Sequence, residues 1–115
     1  MTYGILCRFD GAAGYVLTIG DGYASIEKWG NYTMLADAQP QVDPYSTNKL
    51  QAVCTGGQGH EAVHLELWVN GEKVVEATDT DAPLPPAGIG LAVAVYKTKR
   101  ASVAEFDNLV VEQLA

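Results

Sequence analysis

The chain has 115 residues, 48% of them hydrophobic, and its seven basic and fourteen acidic residues give a net charge of -7. This length builds one hydrophobic core, so a single domain over residues 1–115 is predicted, and twelve glycines with five prolines are typical of a turn-rich globular chain. The acidic excess repels phosphate groups, which argues against nucleic acid and anionic membrane surfaces as partners.

Short β-rich segments fill the chain, and none has the apolar spacing of an amphipathic helix over three turns. The predicted strands are Tyr3–Phe9, Tyr15–Ile19, Tyr23–Trp29, Thr33–Ala36, Asn48–Thr55, Ala62–Val69, Glu72–Thr78, Ile89–Tyr96 and Ser102–Glu112. Asp21-Gly22 and Asn70-Gly71 predict two-residue hairpin turns, because these residues tolerate positive φ. Prolines within 39–47 and 79–88 predict loops that cross between sheets. Nine short strands predict an all-β, two-sheet antiparallel sandwich.

The alternation of side chains predicts which residues enter the core. On the sixth segment, Leu65, Leu67 and Val69 share one face, which is expected to be buried. On the eighth segment, Leu91 and Val93 alternate with alanines, so apolar residues occupy both faces. This pattern predicts a strand that is covered on both sides and central in its sheet.

Aromatic and acidic side chains share the polar faces of two strands. Tyr23, Glu27 and Trp29 lie on one face of the third segment, and Glu66 and Trp68 lie on the polar face of the sixth. Carbohydrate sites combine an aromatic platform with acceptors for sugar hydroxyls, and these residues supply both. A carbohydrate site is one interpretation, and tryptophans that only cover a sheet are the other.

The two cysteines, Cys7 and Cys54, form no CxxC pair, and no histidine has zinc-ligand spacing, so no metal cluster is predicted. They are either a disulfide or two buried free thiols, and the disulfide is the favoured alternative. Arg8 alternates opposite Cys7, so it is expected either to join the carbohydrate surface or to pair with an acid.

Several segments together carry a resemblance that covers nearly the whole chain: Tyr3–Arg8, Gly22–Lys28, Asn48–Cys54, Leu65–Gly71 and Glu105–Val111. In these segments the chain resembles the concanavalin A-like lectin/glucanase superfamily, above all the laminin-G-like and DUF1080-like domains of bacterial extracytoplasmic proteins. The resemblance implies jelly-roll connectivity, a bridge between the two cysteines, and export. It supports the fold more than any activity.

Domains of this kind usually begin with further strands, and the opening one pairs beside the last. This chain starts at the strand Tyr3–Phe9. The expected alternatives are a fragment, a trimmed chain, or a subunit that a neighbour completes. An open sheet edge invites another strand, so a homo-oligomer with a structural or adhesive role is the second predicted function.

Catalysis is not favoured by the sequence. The Glu-x-Asp-x-x-Glu motif of the glucanases in this superfamily is absent, and its nearest approach, Glu105 with Asp107, is expected to be structural. DUF1080-like domains have been linked to hydrolysis of 3-keto-glycosides, for which His64 and Glu66 could act as an acid and base pair. The alternative is that both residues only keep an exposed face polar.

No cofactor is predicted, although calcium is common among laminin-G-like domains. Asp79 and Asp81 offer oxygen ligands at short spacing, but a solvated turn is the favoured interpretation. No apolar run approaches the roughly 20 residues of a membrane span, and the first residues lack the basic region of a signal peptide. The expected location is extracellular or cell-surface, with the export signal already removed.

Overall fold

The fold is taken from a computed structural model that describes residues 2–57, 61–94, 106, 110 and 111. These residues form eight strands: β1 Thr2–Phe9, β2 Gly14–Gly20, β3 Tyr23–Trp29, β4 Thr33–Ala38, β5 Leu50–Gly56, β6 Val63–Val69, β7 Glu72–Asp79 and β8 Gly88–Ala94. One sheet has the order β4-β3-β2-β1-β8 and the other β5-β6-β7. All pairings are antiparallel, which confirms the predicted all-β, two-sheet sandwich. Its jelly-roll connectivity stays a prediction.

The predicted ninth strand, Ser102–Glu112, lies outside the described residues except for Phe106, Val110 and Val111. Those three residues belong to no strand. In the part of the chain that is described, we find no helix with the length and apolarity that crossing a bilayer requires.

The core lies between the two sheets, where β6 packs against the central strands of the larger sheet. Leu65 and Leu67 are fully buried and Val69 is 2% exposed, as the alternation predicted. Leu17 and Ile26 meet them from β2 and β3 and are also fully buried. Complete burial of one such side chain contributes about 1.5–3 kcal/mol, so these inner faces hold the sandwich together.

Both predicted hairpin turns are confirmed. Asp21 and Gly22 between β2 and β3 have φ of 51° and 84°, and Asn70 and Gly71 between β6 and β7 have φ of 54° and 86°. Positive φ at both central residues is the conformation whose twist matches that of the flanking strands. These turns therefore fix the register of the two hairpins.

The prediction that β8 is covered on both sides is wrong. β8 is the edge strand of the described five-stranded sheet, and its inner-face residues Ile89, Leu91 and Val93 are 48%, 40% and 47% exposed. These side chains are exposed because the smaller sheet does not reach β8. Its edge strand β5 packs against β1, and its other edge strand, β7, packs against β3 and β4. β8 therefore extends beyond the layer that would cover it.

A disulfide joins the two sheets on one side of the core. Cys7 of β1 is bonded to Cys54 of β5, with their Cα atoms 6.8 Å apart. The favoured prediction for these cysteines is thus confirmed. The bridge spans 47 positions of sequence, so it restricts the unfolded chain strongly.

A buried polar cluster joins the sheets on the other side, between β3 and β7. The Lys28 ammonium lies 2.8 Å from Asp79 Oδ2, and the Tyr15 hydroxyl donates a hydrogen bond of 2.7 Å to the same oxygen. Lys28 also donates to the backbone carbonyls of Asp81 and Ala82. A charged pair can remain buried only when its polar atoms are satisfied in this way.

The protonation of this cluster follows from its contacts. Burial alone would raise the pKa of Asp79, but hydrogen bonds from Lys28, Tyr15 and the Asp81 amide lower it overall, so the carboxylate is ionised. Burial raises the pKa of Tyr15 to about 12, and the neighbouring Asp79 charge acts in the same direction. The phenol therefore stays neutral and donates a hydrogen bond to the Asp79 carboxylate.

Replacing both bridged cysteines in the double variant Cys7→Ser/Cys54→Ser is expected to lower the free energy of unfolding by about 4 kcal/mol, because the unfolded chain regains the entropy of an open loop. Urea denaturation of the variant and the oxidised parent, followed by tryptophan fluorescence, measures the difference. Reducing the parent with dithiothreitol should give a similar loss. A difference below about 1 kcal/mol would contradict a stabilising role for the bridge.

Replacing Asp79 in the variant Asp79→Asn is expected to lower the free energy of unfolding by about 3–5 kcal/mol at neutral pH, because Lys28 keeps a buried charge without its counterion. The folded-state pKa of Asp79 lies below its ordinary value of 3.8, so the stability it contributes is complete well above that value. This contribution of Asp79 to stability is lost as the pH falls through its folded-state pKa.

Denaturation curves between pH 3 and pH 7 check this prediction, with Glu72→Gln as the control because Glu72 is exposed on the same strand. The gap between the parent and Asp79→Asn should narrow below a pH of about 4, whereas the control should follow the parent throughout. A gap that is unchanged at low pH would contradict the ionised state of Asp79.

Candidate functional site

The outer face of the five-stranded sheet carries a depression of about 260 Å³. Its lining residues are Thr2, Thr18, Gly20, Asp21, Tyr23, Ser25, Glu27, Met34 and Asp37. The depression lies over a row in which the strand register aligns Gly4, Thr18 and Ser25 from β1, β2 and β3. These short side chains leave a low floor between taller neighbours. The volume is slightly below the roughly 300–1,000 Å³ range of ligand pockets.

Polar groups converge on this floor. The hydroxyls of Thr18 and Ser25 are 3.2 Å apart, and Asp37 of β4 lies directly opposite Ser25 in the register. Glu27 is half-buried beside them, whereas Asp37 is exposed. The site therefore offers two hydroxyls and two carboxylates on one face.

The walls of the depression are apolar. Tyr23 at the start of β3 is 48% exposed, and Met34 of β4 is 51% exposed. Neither side chain is needed in the core, because alternation turns both toward the outside. An aromatic wall beside carboxylates and hydroxyls is the combination that the sequence predicted for carbohydrate recognition.

The structure divides the remaining predicted ligand-binding residues between two surfaces. Trp29 shares the outer face with Tyr23 and Glu27, but it lies at the far end of β3 and does not line the depression. Glu66 and Trp68 belong to β6, whose opposite side chains enter the core, so they face outward on the other sheet. Trp68 therefore cannot contribute to a ligand bound beside Tyr23.

Arg8 takes a structural position. It has a φ of 53° at an irregularity in the β1–β8 pairing, which interrupts the simple alternation after Cys7. Its guanidinium donates hydrogen bonds to the carbonyls of Leu84 at 3.1 Å and Gly56 at 2.7 Å. A Cβ at Gly57, where φ is 76°, would lie 2.5 Å from this guanidinium. Arg8 therefore ties the end of β5 to the loop between β7 and β8, an outcome that neither sequence alternative included.

Of the nine lining residues, the sequence predicted only Tyr23 and Glu27 as ligand-binding, and it missed both residues that β4 contributes, Met34 and Asp37. The predicted fourth strand ended at Ala36, so Asp37 was left in a loop. In addition, the β3–β4 pairing shifts register between Ile26 and Glu27, which alternation alone does not reveal. The only sequence signal for an outward-facing site on β4 was the presence of polar residues, Thr33 and Asp37, at the two ends of the segment.

The candidate calcium ligands have protein partners of their own. Asp79 is only 2% exposed, and its carboxylate accepts from Lys28, so it does not lie in a solvated turn. The Asp81 carbonyl accepts from the same ammonium. The Lys28 ammonium thus occupies the place where a bound cation would meet these oxygens.

The candidate catalytic residues divide into two groups. Glu105 and Asp107 lie outside the described residues. His64 Nε2 lies 2.9 Å from Glu66 Oε2, so the pair predicted for acid and base chemistry is in contact. However, hydrogen bonds from Trp68 and His64 lower the pKa of Glu66, whereas a general acid needs a raised pKa.

Comparison with protein-family models, curated proteins and solved structures finds no match to this chain. The concanavalin-like resemblance therefore stays a prediction from the sequence.

Proposed function

We propose that this chain is a non-catalytic binding module that recognises a carbohydrate or glycoconjugate in the depression on the outer face of the five-stranded sheet. The observation that carries the proposal is the meeting of the half-exposed Tyr23 with the carboxylates of Glu27 and Asp37 over a floor of hydroxyls. An aromatic ring packs against the apolar face of a pyranose, and carboxylates accept hydrogen bonds from its hydroxyls.

The charge of the depression selects among sugars. Among the described residues that line it, Glu27 and Asp37 are acidic and none is basic. Sulfated sugars and sugar acids would be repelled by this arrangement. A neutral glycan, rich in hydroxyl donors, is therefore the favoured ligand class.

The proposed location is extracellular or cell-surface. The disulfide between Cys7 and Cys54 supports it, because such bonds persist in oxidising compartments and are rare in the cytoplasm.

A second candidate function, self-association, is favoured by the open edge at β8. Ile89, Leu91 and Val93 form an apolar strip that is nearly half exposed, beside a backbone edge without a described strand on its outer side. The occupant that fits both features is the β8 strand of a second copy, paired antiparallel. Backbone hydrogen bonds would close the edge while the two apolar strips pack together.

Replacing Tyr23 in the variant Tyr23→Ala is expected to weaken glycan binding about tenfold, which corresponds to about 1.4 kcal/mol, because the stacking platform is lost. Asp37→Asn should weaken it to a smaller degree, since an amide oxygen remains as an acceptor. A glycan array of neutral plant, fungal and bacterial polysaccharides identifies the ligand, and affinity gel electrophoresis then measures the dissociation constants.

The matched control is Tyr32→Ala, which removes an aromatic ring that is 82% exposed in the β3–β4 turn, away from the depression. Trp68→Ala serves as a second control because Trp68 lies on the other sheet. Both controls should bind like the parent. Equal affinity of Tyr23→Ala and the parent, or a loss seen only with Trp68→Ala, would remove the basis of the proposal.

Replacing Leu91 in the variant Leu91→Lys is expected to keep the protein monomeric, because a charge within the apolar strip opposes burial against a second copy. Sedimentation equilibrium over a hundredfold range of concentration should show the parent forming dimers. Tyr45→Ser is the control, since Tyr45 is 84% exposed elsewhere on the surface. A parent that stays monomeric throughout contradicts self-association through β8.

A further inference from the structure

Three metal-ligating side chains meet on the outer face of the three-stranded sheet, on the side of the molecule away from the depression. His64 and Glu66 are two residues apart on β6, and Glu76 of β7 is the register partner of Glu66. His64 Nε2 lies 2.9 Å from Glu66 Oε2 and 3.6 Å from Glu76 Oε2. One ligand atom from each residue lies within 4.8 Å of the other two.

The cluster places like charges against each other. Glu66 and Glu76 are directly opposite in an antiparallel pair, an arrangement that destabilises a sheet unless a cation lies nearby. The Lys73 ammonium, 3.0 Å from Glu76 Oε2, supplies one positive charge for the two carboxylates. The remaining negative charge favours a further cation at the cluster.

Neighbouring side chains orient two of the three ligands. Thr78 Oγ1 lies 3.2 Å from His64 Nδ1, which directs the opposite ring nitrogen toward the carboxylates. The Trp68 indole donates a hydrogen bond of 2.8 Å to Glu66 Oε1, which leaves Glu66 Oε2 available to the cluster. Histidines that bind metals are generally held through their other ring nitrogen in this way.

We propose that His64 Nε2, Glu66 Oε2 and Glu76 Oε2 form a binding site for a zinc-class divalent cation. Bonds of about 2.0 Å place the ligand atoms of tetrahedral zinc roughly 3.3 Å apart. The two distances from His64 Nε2, 2.9 and 3.6 Å, bracket this value, and the two carboxylates offer oxygens within 4.8 Å of each other. An imidazole with carboxylates suits zinc, whereas calcium prefers oxygen ligands alone. The site is independent of the proposed carbohydrate function.

Binding rearranges two contacts of the metal-free chain. On binding, the imidazole carries its ring proton on Nδ1, beside Thr78 Oγ1, so that Nε2 coordinates the cation in place of its hydrogen bond to Glu66 Oε2. The cation also displaces the Lys73 ammonium from Glu76 Oε2. The His64, Glu66 and Glu76 side chains are 40%, 21% and 51% exposed, so water can fill the remaining coordination position. Three protein ligands and one open position are the pattern of zinc sites that accept a further ligand.

The test is calorimetric titration of the tag-free, EDTA-treated full chain with zinc chloride. One zinc ion is expected to bind per chain, with a shift of the Trp68 indole proton signal in the NMR spectrum. His64→Gln and Glu76→Gln should each weaken binding at least about tenfold, and Thr78→Val should weaken it about tenfold by releasing the imidazole. Lys73→Gln should strengthen binding, because no ammonium then competes for Glu76.

Controls separate this site from others. His60→Gln removes the only other histidine of the chain and should leave zinc affinity unchanged. Circular dichroism checks that each variant keeps the fold of the parent, which is expected for the replacements on β6 and β7 because those side chains lie on the outer face of the sheet. Absence of saturable binding, an unchanged affinity in His64→Gln, or a loss confined to His60→Gln would each overturn the proposal.

Discussion

The packing of β6 against the inner face of the five-stranded sheet is the contact on which the rest of the structure depends. Leu65 and Leu67 are fully buried there, and burial of apolar surface is the main favourable term in folding. Since successive side chains of a strand point to opposite faces, fixing these two residues inside also fixes Glu66 and Trp68 outside. A slip of one residue would exchange the two sets, so the core determines the chemistry of the surface.

Two different bonds hold the smaller sheet at both of its edges. The disulfide of Cys7 and Cys54 joins β5 to β1, and the ion pair of Lys28 and Asp79 joins β7 to β3. Reduction breaks the disulfide and acid weakens the ion pair, so each edge of the smaller sheet can be weakened separately. A three-stranded sheet buries little surface by itself, and ties at both edges keep it aligned with a larger partner.

Local patterns could be predicted from the sequence, whereas pairings between distant segments could not. The turn at Asn70-Gly71 needs only the tolerance of two residues for positive φ, and the outward face of Tyr23 needs only alternation. Asp37 was missed because a shift in register brings it beside the site. Trp68 was grouped with Tyr23 because alternation assigns a face within each strand but does not say which sheet the strand joins. That choice depends on contacts far apart in sequence, which no short window contains.

The unequal sizes of the two sheets connect the open edge with the depression. β8 extends beyond the smaller sheet, and it neighbours β1, whose Thr2 lines the depression. Antiparallel pairing of two β8 strands requires a two-fold axis perpendicular to the sheet, so both outer faces would point the same way. Such a dimer presents two depressions on one continuous surface, and a polysaccharide that reaches both gains affinity through effective concentration without any new contact. The two proposed functions, self-association and glycan binding, are therefore compatible, because the exposed apolar strip of β8 would be buried in the same dimer that pairs the two depressions.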